Sequence, residues 1–132
     1  MTNQRGFTFI ELLVVVSIIG LLAAIAVPQF SAYRTRAYRA EGYQLADAAR
    51  KNIVEFYDYT GRLPLDNAES GLAKPIAIRG KYVESVTVEN GQITVVYLPQ
   101  YQQRRYSAPM ILVPIINQAN PTGPLVWQEE KG

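Results

Sequence analysis

The chain contains no cysteine and no histidine. The first absence excludes disulfides and thiolate nucleophiles. The second removes the side chain most used as a general base near neutral pH and as a ligand for transition metals. An excess of one charge is missing too: Lys plus Arg number 13 against 11 Asp plus Glu in 132 residues, a balance too even to steer nucleic acid or an acidic substrate. No enzymatic activity, cofactor or metal centre is expected on these grounds, and no nucleic-acid partner is evident. A chain of this length has room for one small core.

Charge is scarcest near the N-terminus. From Phe7 to Tyr33 the only ionisable carboxylate or cation is Glu11, and the run from Leu12 to Tyr33 is rich in Leu, Ile, Val and Ala. As a helix that run would reach about 33 Å, against about 30 Å for a hydrocarbon core. It can span a membrane. Arg5 precedes it and Arg34, Arg36 and Arg39 follow it, so the positive-inside rule leaves its orientation open.

Ala23-Ala24-Ile25-Ala26 can be read as the cleavage site of a secretory signal. Against that, the pattern runs on into an amphipathic stretch from Ser31 to about Thr60, with Tyr38, Leu45, Ala46, Ala49, Ile53, Phe56 and Tyr57 at helical spacings. The two stretches therefore read as one helix from Phe7 to Thr60, stopped by Gly61 and Pro64. Such a helix is on the order of 80 Å long, more than a small head is wide, so its apolar half is expected to project. Gly20 and Pro28 interrupt it. Gly lowers local helical stability and Pro removes a donor, so the reading is either a kink or loosened stretch between them or a bend without a role.

After Gly61 comes a loop to Gly80 holding Pro64, Asn67, Gly71 and Pro75. Asp66, Asn67 and Glu69 show no recognisable calcium-loop spacing and read as a solvated turn. Two alternating runs, Tyr82 to Glu89 and Gln92 to Leu98, flank Asn90-Gly91, the dipeptide favoured by type I′ hairpins. Pairing outward from that turn sets Val88 opposite Ile93, Val86 opposite Val95 and Glu84 near Tyr97 on one face. Thr87 opposite Thr94 and Glu89 opposite Gln92 occupy the other, more polar face. The first face is expected to pack on Ile53, Phe56 and Tyr57. A third strand around Met110 to Val113, bracketed by Pro109 and Pro114, suits an edge or a strand end. A fourth around Leu125 to Gln128 completes an antiparallel sheet. The fold class is thus α+β, one long N-terminal helix against about four strands. The run Tyr101-Gln102-Gln103-Arg104-Arg105-Tyr106 mixes aromatics with cations, as single-strand nucleic-acid binders do, but reads more simply as an exposed loop.

The segment Arg5-Gly6-Phe7-Thr8-Phe9-Ile10-Glu11-Leu12-Leu13, with the apolar run and Pro28 behind it, resembles the leader and N-terminus of type IV pilins and their relatives. The likeness is specific over roughly the first thirty residues and looser through the hairpin and the terminal strand with Trp127. It implies a leader, 1–6, removed by a prepilin peptidase between Gly6 and Phe7, and N-methylation of Phe7. It further implies storage in the bacterial inner membrane through residues 7–33, and a globular head over 34–132. The inner-membrane pilus assembly machinery would then polymerise copies of the chain into a surface filament serving motility, adhesion or DNA uptake, with Glu11 setting the register of each subunit. Without cysteine the chain lacks the disulfide that closes the C-terminal loop of many pilins, and that loop is either absent or replaced by Pro99 to Ser107, which argues against an adhesin.

Read from chemistry, Gly6 leaves the scissile backbone open to a membrane protease, or merely breaks the helix start. An apolar helix buried all round suits both a bilayer and a filament core, where Ala23, Ala24 and Ala26 would let neighbouring helices approach closely. Two alternatives remain. A pseudopilin of a type II secretion system shares the N-terminal signal but would form a short periplasmic piston. A signal-anchored binding protein that never polymerises leaves the arrangement of Gly6, Phe7 and Glu11 unexplained.

Overall fold

A computed structural model describes residues 3–102 and 108–131. The described residues fall into two compact units dividing after Arg36, and one helix, α1 (Phe9–Thr60), runs through both. It begins two residues later than the periodicity predicts, because Thr8 acts as its N-cap. It stops as expected: Gly61 turns to φ 74°, and its N–H reaches back to the Tyr57 carbonyl at 2.8 Å, the left-handed cap that glycine adopts without a Cβ penalty.

From Leu12 to Val27, in the first unit, the helix carries no charge and is apolar all round apart from Ser17. Ile10, Leu13, Ile18, Leu22 and Val27 each leave half or more of their surface exposed, and length and composition fit a membrane span.

In the second unit α1 buries a narrow stripe, Gly42, Ala46, Ala49, Ile53 and Tyr57, spaced three or four residues apart as one helix face requires. Against it lies a four-stranded antiparallel sheet in the order β1-β2-β3-β4, formed by β1 (Val83–Glu89), β2 (Gln92–Tyr97), β3 (Met110–Ile115) and β4 (Val126–Lys131). The β1–β2 hairpin turns through Asn90 at φ 49° and Gly91 at φ 80°, both positive as the type I′ turn demands. Val88 faces Ile93, Val86 faces Val95 and Thr87 faces Thr94 as read from the sequence.

Two details differ from expectation. A bulge between Val83 and Ser85 brings Val83, not Glu84, opposite Tyr97, so the buried position goes to the valine and the glutamate stays in solvent. And β3 is an interior strand despite its prolines. Its pairing with β2 covers only Met110 to Leu112, so Pro114 lies beyond that ladder and pairs with Trp127 of β4 alone. The missing N–H breaks no β2–β3 bond.

The core joins Ala46, Ala49 and Ile53 to Val83, Val86, Val88, Ile93, Val95, Tyr97, Met110 and Leu112, with Trp127 packed at its margin. Phe56 is only half-buried, with the Arg62 guanidinium 5.1 Å from its ring centre. Gly42 is required by proximity: a Cβ there would stand 2.9 Å from the Met110 terminal methyl and overlap the Tyr97 hydroxyl. The chain from 61 to 82, though largely exposed, is held in place by side chains. Asn67, expected in a solvated turn, is buried. Its Nδ2 donates to the carbonyls of Ala73 at 2.9 Å and Val86 at 3.0 Å, and its Oδ1 accepts the Val88 N–H at 2.6 Å. Glu69 accepts both Arg62 Nη groups and the Leu65 N–H, contacts that hold its carboxyl below the usual range. A short 3₁₀ helix, η1 (Pro75–Ala77), follows, and then Glu41 of α1 accepts the N–H groups of Lys81 and Tyr82 at 2.7 Å and of Val83 at 3.2 Å. On the far edge, Glu129 of β4 accepts from Arg39 and Tyr43 of α1. Of the run from Tyr101 to Tyr106, Tyr101 ends a second 3₁₀ turn (Pro99–Tyr101) and 103–107 lie outside the described residues.

Two stability predictions follow from this packing. Val95 is fully buried and Thr94 points to the opposite, wetter face. Val95→Ala should therefore cost about 2 kcal/mol and Thr94→Ala less than about 0.5, read from thermal melting of the full chain. The Tyr97 hydroxyl is buried with no hydrogen-bond partner among the described residues, and burial pushes its ionisation from 10.0 up to about 12. Because the unfolded chain releases that proton first, stability is whole below pH 10 and falls as pH rises through the window. Tyr97→Phe should melt at or above the unmodified temperature at pH 7 and lose less stability in alkali.

Candidate functional site

Of the residues singled out by sequence, Gly6, Phe7 and Glu11 lie at or near the start of α1, and Gly20 and Pro28 lie within it. Thr8 precedes the helix as its N-cap and Glu11 occupies the third helical position. Thr8 N–H donates to Glu11 Oε2 at 3.0 Å, while Glu11 N–H donates to Thr8 Oγ1 at 3.2 Å. This reciprocal pair is a capping box, in which each side chain satisfies a backbone donor that the first helical turn leaves without a partner. The box orients the carboxylate toward the chain start, where the helix dipole favours an anion. Oε2 is engaged by Thr8, and Oε1 has no hydrogen bond among the described residues.

Thr8 is the site residue that sequence reasoning passed over. Its signal was present: Thr8-Phe9-Ile10-Glu11 is a Ser/Thr-x-x-Glu pattern just before an apolar run.

Gly6 and Phe7 lie outside the helix, and Phe7 is 86% exposed. A Cβ added at Gly6 would meet nothing within 4 Å. Among the described residues, then, no packing requires a glycine there. Gly20 likewise has open space around it, and the helix continues through both Gly20 and Pro28. Pro28 has no N–H to offer the Ala24 carbonyl, so one backbone bond is missing from an otherwise continuous ladder.

The head offers no competing chemical centre among its described residues. A hollow of about 430 Å³ against Trp127 is lined by Arg50, Lys51, Glu55 and Asp58, charges of both signs on a solvated helix face. Another of about 260 Å³ lies between the 66–75 loop and β1.

Compared with known proteins, residues 1–27 match the family model described as a prokaryotic N-terminal methylation motif. Residues 35–129 match the model described as pilin, a bacterial filament. The chain is 44% identical over 93 residues to the type IV major pilin protein PilE of Neisseria gonorrhoeae, covering 70% of this chain and 56% of that protein. It is 44% identical over 95 residues to the fimbrial protein EcpC of Eikenella corrodens, covering 69% and 61%. To a fimbrial protein of Moraxella nonliquefaciens it is 37% identical over 94 residues, covering 71% and 60%. The matched stretch thus spans between 56% and 61% of these relatives' lengths.

The capping box makes its own prediction. Thr8→Val keeps the shape at the helix start but removes the oxygen that accepts the Glu11 N–H, and should cost the first turn about 1 kcal/mol. Hydrogen exchange in detergent should then speed at the amides of residues 9–12 and stay unchanged from Ile53 onward.

Proposed function

Because the chain belongs to the bacterial pilin family, we propose that it is the structural subunit of a type IV pilus, held in the inner membrane before assembly and polymerised into a filament at the cell surface. The observation that carries this reading is the pairing, in one helix, of an all-round apolar half with a capped carboxylate at its very start, joined to a head of pilin type. A helix without a polar face needs an apolar surrounding, and both a bilayer and the packed interior of a filament supply one.

On this reading a prepilin peptidase hydrolyses the bond between Gly6 and Phe7. Water adds across the amide, leaving a carboxylate on Gly6 and an amine on Phe7, and a methyl donor then replaces one N–H hydrogen of that amine. The match of residues 1–27 to a methylation motif supports this step. Gly6, with open space around it, presents bare backbone to the protease.

Glu11 is the register. A lone carboxylate at the centre of a bilayer costs about 2.5 to 3.5 kcal/mol on insertion scales, so a place in an apolar interior demands a partner. Thr8 N–H supplies part of that satisfaction within the subunit. The Phe7 ammonium of an incoming subunit supplies the rest, and attraction between opposite charges is stronger where water is excluded. Mispositioned subunits leave both charges unpaired, which selects one axial offset. The stretch from Gly20 to Pro28, already short of one backbone bond, is where the helix gives way on packing into the fibre. The assembly machinery of the inner membrane would lift each subunit out of the bilayer. Relatives named as pilins and fimbrial proteins favour this pilus over a short periplasmic pseudopilus.

Two measurements test the reading. Intact mass of the fibre protein should correspond to a chain beginning at methylated Phe7; fibres retaining residues 1–6, or cut after Ala26, would refute it. Glu11→Gln keeps size and hydrogen bonding but removes charge. It should be processed normally yet yield few sheared fibres, and wild-type yield would overturn the registration role.

A further inference from the structure

The outward face of the sheet departs from the usual alternation. An antiparallel sheet with one wet face carries polar residues there, as Thr87 and Thr94 do on β1 and β2. On β3 the three successive outward positions are instead Ile111, Val113 and Ile115, and Val126 of β4 stands opposite Ile115. Ile115 is 42% exposed and Val126 57%, while Ile111 and Val113 are half-buried. The charges on this face are Glu84 and Glu89 on β1 and Glu130 on β4, with no cation at an outward position among the described residues. It is an apolar ribbon with an acidic rim.

At the other edge the pattern is reversed. Around η1, residues 74–81 contain Lys74, Arg79 and Lys81 and no acid, all three exposed. Among them Ile76 stands 67% exposed, braced where Arg79 Nε donates to its carbonyl at 3.2 Å. This is an apolar knob in a mainly basic setting, with the Glu41 carboxylate engaged by backbone amides at its β1 end. It packs against β1, which is separated from β3 and β4 by β2, so knob and ribbon of one subunit sit toward opposite edges of the sheet.

We propose that the Ile76 knob of one subunit docks on the Ile111–Val113–Ile115 ribbon of a second copy, with Lys74, Arg79 and Lys81 facing Glu89 and Glu130. Complementary patches on opposite edges make a heterologous contact, which propagates as an open helical array when its rotation does not close. The inference rests on the filament reading and names a head-to-head surface for it. One apolar knob and a few charges make a small patch, and a stable isolated complex needs roughly 1,000 Å². The contact therefore acts between subunits already gathered by their helices.

The absence of cysteine makes the test free of background. Ile76→Cys and Val113→Cys are placed together in the full chain, and sheared fibres are treated with a short thiol-to-thiol crosslinker. A ladder of covalent oligomers is expected from the double variant, with dimers at most from either single one. In parallel, reversing the basic side (Lys74→Glu with Arg79→Glu) or the acidic side (Glu89→Lys with Glu130→Lys) should each lower fibre yield about tenfold. The four changes together should restore it. Fibres without a ladder, single-sided reversals without effect, or a fourfold variant no better than its parents would each overturn the docking pair. If the paired cysteines themselves block assembly, the reversals decide. Failure of the unmodified chain to make fibres would instead overturn the filament reading.

Discussion

The stripe of Gly42, Ala46, Ala49, Ile53 and Tyr57 determines how near the sheet can come to α1, and most of the head depends on that approach. Three of the five positions carry no side chain or a single methyl, so β2 and β3 lie close enough for Tyr97 and Met110 to touch the helix backbone at Gly42. Larger residues take over toward the C-terminal end, where Ile53 fills the centre and the Tyr57 hydroxyl donates to the Pro121 carbonyl at 2.7 Å. That bond ties the segment between β3 and β4 to the same helix. Close packing forfeits dispersion when even one carbon is misplaced, so the stripe serves as a template as well as a core.

Around this template, polar side chains do what a disulfide does elsewhere. Glu41 gathers three amides at the entry to β1, Asn67 closes the loop before it, and Glu129 fastens β4 through Arg39 and Tyr43. Each joins segments far apart in sequence, and the bonds accepted by the two carboxylates are charge-assisted, the stronger kind. A head held in this way has no disulfide for a reductant to break.

What could be read beforehand follows from locality. The hairpin was legible because Asn90-Gly91 and the alternating residues beside it fix type and register within a few positions, and the helix because its period persists across Pro28. The bulge at Val83 was not: one extra residue shifts the face of everything beyond it, and nothing in the run Tyr82 to Ser85 marks where it falls. Asn67 looked like a turn residue because turn propensity is local, whereas its three hydrogen bonds go to residues 73, 86 and 88. Glu41 and Glu129 were illegible for the same reason, their partners being long-range. At the N-terminal site, resemblance supplied Gly6, Phe7 and Glu11, but attention to the glutamate as a charge hid its pairing with Thr8 as a cap.

The Asn67 side chain has one more effect. Val86 C=O and Val88 N–H are the groups that β1 turns away from β2, and they are the groups that the Asn67 amide occupies. An uncovered strand edge is a template for cross-chain β-pairing. By imitating a neighbouring strand with a single side chain, Asn67 occupies the very backbone groups through which another strand would pair with that edge.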